Sequence, residues 1–252
     1  MIFEELNALA QLSGLTTFIT LIVAFIIGFI ILQKALKQKK RNLYLFSLCV
    51  FFTITPWFPM GFSFFYWVFT TNIIPYQVFI IMGTFGIPIA ILSWLDIYLE
   101  MTFTDKKRIV MGIYAIISIA FILYIIIFTF LAPGAPIEPL LGSFAPNNPI
   151  KFNSKGFVSF FRILSVLIAV ITGIHFSIQS MMIKDDPNMV LKGRFLLISF
   201  LLFLYCAAFD AMVPMNALLL IINRFLLALT AFFFYCGFLL PNWIKRKLSI
   251  LE

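Results

Sequence analysis

Long apolar runs alternate with short polar breaks along the whole chain. Seven runs are long enough to cross a bilayer as helices, which takes ~20 apolar residues. They fall at about 15–32, 43–69, 75–99, 109–131, 156–182, 193–213 and 216–240. The expected fold class is all-α: one seven-helix transmembrane domain filling residues 1–252. Only Val213-Pro214-Met215-Asn216 joins the last two runs, which predicts an antiparallel hairpin. Two other spans carry breaks. Pro56-Trp57-Phe58-Pro59-Met60-Gly61 interrupts span 2, and Pro88 falls near the middle of span 3. Proline removes a backbone donor, and inside a membrane the freed carbonyl needs a protein partner or a cavity. The connection 132–155 is the longest and is rich in Pro, Gly and Asn. A loop of that length is expected to cover a site or make a contact. Met1 to Gly14 holds Glu4 and Glu5 and no basic residue. It lacks the positive region of a signal peptide and reads as a short amphipathic turn at the surface.

Composition agrees with a membrane solvent. The chain is 63% hydrophobic and 11% charged, where a soluble domain carries about 25% charged residues. Its net charge of +8 does not point to nucleic acid, because the basic residues follow topology. Fourteen of the 18 lie in the loops after spans 1, 3 and 5 or in the Lys245-Arg246-Lys247 tail, whereas Lys151 and Lys155 lie on the opposite side. The excess of Lys and Arg on cytoplasmic loops then predicts an outside N-terminus and a cytoplasmic C-terminus in a cell membrane. Cys49, Cys206 and Cys236 all fall inside apolar runs and read as small packing residues. A single histidine leaves no His-rich metal site.

Ionisable groups inside spans are the functional candidates, since a charge at the bilayer centre costs ~2.5–3.5 kcal/mol on insertion scales. Depth sorts them into two layers. The outer layer holds Arg162, Asp210 and Arg224, with two arginines facing one aspartate. One reading is a pocket for a small or anionic ligand. Trp57 would contribute to it from the span 2 break, and Tyr235 from the face that Arg224 shares with Ala228 and Ala231. The other reading is a structural Asp210–Arg224 clip that fixes the hairpin, with Arg162 snorkelling to the surface. The inner layer holds Asp96 and Glu100, four apart on one helical face, and His175. It is either a proton or cation site, or a pair of interfacial carboxylates matched by Lys106, Lys107 or Arg108.

Several chemistries fail on residue types. A retinal pigment needs a lysine inside the last span, and spans 6 and 7 offer none between Arg194 and Lys245. A catalytic zinc needs three protein ligands, which one histidine and two separated carboxylate layers do not supply. No catalytic set, metal or cofactor is expected.

The C-terminal third resembles a group of uncharacterised seven-helix membrane proteins from archaea. The likeness rests on Lys192-Gly193-Arg194-Phe195-Leu196, on Asp210 and Arg224, and on the closing Phe234-Tyr235-Cys236-Gly237-Phe238-Leu239-Leu240-Pro241-Asn242-Trp243. The layout is also similar, in architecture alone, to the seven-helix sensor regions that precede histidine kinases. That similarity implies a receptor or sensor module, here signalling through a separate cytoplasmic partner. A small transporter or channel using the mid-span breaks is the first alternative. A lipid-modifying enzyme using Asp96, Glu100 and His175 is the second. The bilayer is the one partner that composition itself implies, and oligomeric state is open.

Overall fold

The computed structural model describes residues 6–131, 137–145, 148–213 and 215–247. Glu4, Glu5, the first part of the long connection (132–136) and Pro214 lie outside them. Seven helical stretches among the described residues are long and apolar enough to cross a membrane: Ala8–Gln38, Arg41–Thr70, Tyr76–Thr102, Thr104–Leu131, Gly156–Met182, Pro187–Met212 and Ala217–Leu239. The expected spans are all present. Several run longer than the apolar runs alone, because capped ends carry them into polar sequence.

The first helix, α1 (Ala8–Gln38), shows how. Asn7 Oδ1 accepts from the Ala10 amide at 2.8 Å, which satisfies one free N-terminal donor. Residues 8–14 are therefore helix rather than a separate surface turn. At the other end Lys39 turns left-handed at φ 51°, and the amide of Lys40 returns to Ala35 O. The buried stripe of α1 recurs at three- and four-residue spacing through Ala10, Ser13, Thr17, Leu21, Ala24, Gly28, Ile31 and Ala35. Its small side chains let neighbouring helices approach closely.

Span 2 divides into α2 (Arg41–Thr53) and α3 (Phe58–Thr70), joined by one 3₁₀ turn over Thr55–Trp57. The break at Pro56 is real but tight, since Trp57 N still bonds Ile54 O at 3.0 Å. Span 3 divides at Phe85 into α4 (Tyr76–Thr84) and α5 (Gly86–Thr102). Pro88 has no N–H to offer the Thr84 carbonyl, so the ladder is interrupted there. The remaining helices are α6 (Lys107–Ile126), which ends in a π turn at Ile127–Leu131, the short α7 (Ile137–Leu140), α8 (Gly156–Met182), α9 (Pro187–Met212), α10 (Ala217–Leu239) and α11 (Asn242–Lys247).

Six spans form a ring. α1 packs on α2 and α3, α2 on α5, α5 on α8, α8 on α9, α9 on α10, and α10 returns to α1. α6 lies outside, in the groove between α5 and α8. It presents a single buried stripe of Tyr114, Ser118, Phe121 and Ile125, and Phe121 stacks on Phe161 at 3.8 Å. The outer surface is a belt of exposed Ile, Leu and Phe, among them Ile19, Phe29, Ile116, Phe160, Ile171 and Phe225.

The fold is not purely helical. Part of the connection expected as a loop forms an antiparallel ribbon, β1 (Gly142–Ala145) with β2 (Asn148–Ser154). Phe144 faces Phe152 across it, and both rings meet Tyr76 and Phe79. Gly142 has φ +129°, and a Cβ there would collide with Asn153 O. Ile150 is fully buried with Leu6, Ala10 and Met60, which docks β2 on α1 and α3. The ribbon closes one end of the ring. The opposite end carries the Lys- and Arg-rich connections and is called the basic end below.

α8 and α9 approach closely at two glycines, Gly193 near the basic end and Gly173 near mid-height. A Cβ on Gly193 would meet Ser177 O at 2.8 Å and Met181 Cγ at 2.7 Å, and one on Gly173 would enter the Phe200 ring. Gly193→Leu is therefore expected to destabilise by about 1–3 kcal/mol through overpacking. Gly112→Leu should melt with the parent, because a Cβ at Gly112 meets nothing. Melting curves of both variants in detergent test the packing.

Candidate ligand-binding site

Asp210 and Arg224 come together as expected. Asp210 sits in the last turn of α9, and Arg224 in the third turn of α10. Arg224 Nη2 donates to Asp210 Oδ1 at 3.1 Å. The pair is embedded in a wider network. Trp57 Nε1 donates to Asp210 Oδ2 at 2.9 Å, so the 3₁₀ turn in span 2 aims an indole at the carboxylate. Lys151 Nζ, from β2, donates to the Asp210 backbone carbonyl at 3.2 Å. Arg224 Nε donates to Thr17 Oγ1 at 2.9 Å. Thr17 and Ser13 hydroxyls in turn donate to Met60 Sδ at 3.3 and 3.2 Å. Arg224 is only 2% exposed, and its Nη1 is buried without a partner. α1, span 2, β2, α9 and α10 thus meet at one ion pair.

Sequence reasoning missed Thr17, Met60 and Lys151. The polar stripe Ser13, Thr17, Thr20 on α1 was a readable signal, and so was the alternation Ile150-Lys151-Phe152-Asn153.

Arg162 joins the same region but not the same bond. Its Nη2 donates to the Gly83 carbonyl at 3.2 Å, beside the interruption in span 3, and its Nε is buried and unpartnered. The side chain is half-buried and turned inward, which overturns the snorkelling alternative. Among the described residues it forms no ion pair. Tyr235 does not belong here. It lies 11 residues beyond Arg224, ~16 Å along the helix, and packs with Cys236, Leu240 and Ile244 near the basic end.

A cavity of about 720 Å³ runs from the ribbon down into the ring. Arg162, Asp210, Trp57 and Lys151 line it at the ribbon end. Below them the wall is apolar, with Ile80, Ile87, Trp94, Phe203, Leu227 and Ala231. Its floor is aromatic. Phe46 stacks on Phe238 with ring centroids 3.4 Å apart, Trp94 lies 5.0 Å from Phe200, and Phe200 lies 4.9 Å from Phe234.

The inner layer separates into two unconnected parts. Asp96 and Glu100 each pair with both Arg41 and Lys107. Two carboxylates and two cations therefore cancel, and the cluster ties α2, α5 and α6 together. Lys107 was among the expected partners. Arg41 is a partner that helical spacing within span 3 and its following loop does not predict, because it comes from the start of α2. His175 is no partner of the carboxylates. Its Nδ1 meets Tyr98 Oη at 2.9 Å, its Nε2 lies 3.4 Å from Gln179, and Phe103 stacks on its ring. Among the described residues no three His, Cys, Asp or Glu side chains gather as a metal-binding group.

Comparison with protein families, curated proteins and solved structures finds no match to this chain.

Breaking a buried ion pair by removing one partner costs about 3–5 kcal/mol. Arg224→Ala and Asp210→Ala should each cost that much, and the double variant less than their sum, because neither charge is then left alone. Exchanging the two charges is expected not to rescue. It would set a guanidinium against the Trp57 N–H and the Lys151 ammonium. Unfolding of the four variants in one detergent completes the cycle.

Proposed function

We propose that the chain is a multi-pass protein of the cell membrane, N-terminus outside and C-terminus in the cytoplasm. We further propose that its cavity receives a ligand in a receptor or sensor module. The single observation that carries the ligand reading is the cavity itself. Its 720 Å³ lies in the ordinary range for small-molecule sites, and its apolar wall with a few convergent polar groups is their usual character. The belt of exposed apolar side chains supports the membrane, and the Lys and Arg bias supports the orientation.

A receptor fits better than a channel, because the aromatic floor closes the cavity toward the basic end. A transporter keeps some support, since the span 2 and span 3 interruptions both border the cavity, as discontinuous helices do in many transporters. The enzyme alternative loses support. Arg41 and Lys107 neutralise Asp96 and Glu100, and His175 is engaged elsewhere. A cytoplasmic signalling partner would meet the basic end.

Two measurements test this. In a background with the three cysteines replaced by serine, Asn153→Cys should react with a membrane-impermeant thiol reagent on intact cells. Lys184→Cys should react only after permeabilisation; the reverse pattern overturns the orientation. For the ligand, a thermal-shift screen of small anions, amino acids and lipids should return a class that stabilises by about 2.7 kcal/mol at a hundred times its Kd. Ala231→Phe, which fills the cavity, should abolish that stabilisation. No shift from any compound would end the receptor reading.

A further inference from the structure

The cavity has an opening, and its position carries information. Most lining residues are buried or half-buried. The exposed ones are Asn153, Ile163, Leu167, Ala211 and Met212, all on β2, α8 or α9. Ile163 is 58% and Leu167 46% exposed. Each therefore borders the cavity and also belongs to the outer apolar surface. They continue the exposed row that contains Phe160 and Ile171. The opening thus follows the α8–α9 seam downward from the ribbon. Leu167 lies 11 residues into α8, ~16 Å from its start, so the gap extends well below the rim. The cause is local. α8 and α9 pack closely at Gly193, near the basic end, and at Gly173, near mid-height, whereas along the opposite half the α9 residues lining the cavity include the small Ala207, Ala208 and Ala211.

Charge at the head of this opening is unbalanced. Asp210 is already held by Arg224 and Trp57. Arg162 has one carbonyl for a partner and a buried Nε with none. Lys151 also reaches only a carbonyl of Asp210. Two cations therefore stand at the polar end of an apolar cavity that opens sideways. A charged group in such surroundings is costly without a counter-charge.

We propose that the ligand is a single-chain anionic amphiphile, a long-chain carboxylate or phosphate monoester. Its head binds Arg162 and Lys151, its chain lies against the apolar wall, and it arrives from the bilayer through the α8–α9 seam. This rests on the receptor reading above and names the ligand class for that same cavity.

The test uses the full chain in lipid nanodiscs with Trp67 and Trp243 replaced by Phe, leaving Trp57 and Trp94 in the cavity wall. Dibromostearate should quench their fluorescence saturably, whereas the matching dibromo alcohol should quench weakly. Arg162→Gln should weaken the acid by about tenfold or more, the loss of a charge-assisted hydrogen bond, and leave the alcohol unchanged. Arg162→Lys should retain most of the binding, which separates lost charge from lost fold. Ala208→Phe, in the seam, should slow association without lowering the melting temperature. Displacement of the probe by stearate alone assigns a carboxylate head, and by lysophosphatidate alone a phosphate head; either supports the class. Equal quenching by acid and alcohol, or displacement by propionate as well as by stearate, overturns it. An unchanged association rate in Ala208→Phe overturns the lateral route. If another class stabilises the protein while dibromostearate does not bind, the receptor reading stands and the amphiphile falls. If nothing binds, both fall.

Discussion

A guanidinium buried to 2% exposure in an apolar bundle has to be neutralised, and Asp210 is the group that neutralises Arg224. Much of the ribbon half of the molecule is arranged to make that possible. The span 2 break turns Trp57 toward the carboxylate. The polar stripe of α1 supplies Thr17 to the guanidinium. β2 brings Lys151 to the end of α9. In water such a pair would be worth little. In a low-dielectric interior each missing partner would leave a charge alone. The ion pair thus acts as a register mark, fixing how five elements meet.

The cavity follows from the same constraint. Drawing α10 against α1 and α9 near the ribbon, and clamping α8 to α9 at the far end, leaves the space between α5, α8 and α9 unfilled. Polar groups that serve the ion pair line the top of that space, and the large aromatic residues of α2, α5, α9 and α10 fill the bottom. Polarity in the upper half and packed rings in the lower half are two consequences of one arrangement.

The apolar runs were legible because each is long and apolar enough to cross a bilayer, and each became a helix. Position relative to the turn was legible too, and Asp210 and Arg224, a few residues on either side of it, do meet. What a linear reading lacks is azimuth. Arg162, expected in their layer, turns to the Gly83 carbonyl, and Tyr235, placed by helical spacing on the inward face, packs beyond the cavity. His175 and Asp96 share an end of the bundle but point to different neighbours. The ribbon escaped for another reason. Its strands are short, its register shifts after Phe144, and its alternation is hidden among turn residues. With it went Lys151, which could be counted as a surface charge but not seen to reach Asp210.

The aromatic floor has a mechanical consequence. Phe234, which lines the cavity, and Phe238, which stacks on Phe46, lie one turn apart on α10, and Pro241 follows three residues later. Phe46 stacks on Phe238 and meets Phe234 edge-on, and such close packing leaves the last turns of α10 little room to shift against α2. Phe234 thus links the cavity wall to the packing of the last turns of α10, which lead into the short helix of Lys245 and Arg246. The floor that seals the cavity thereby also holds the last turns of α10 in place, directly before the segment that carries Lys245 and Arg246.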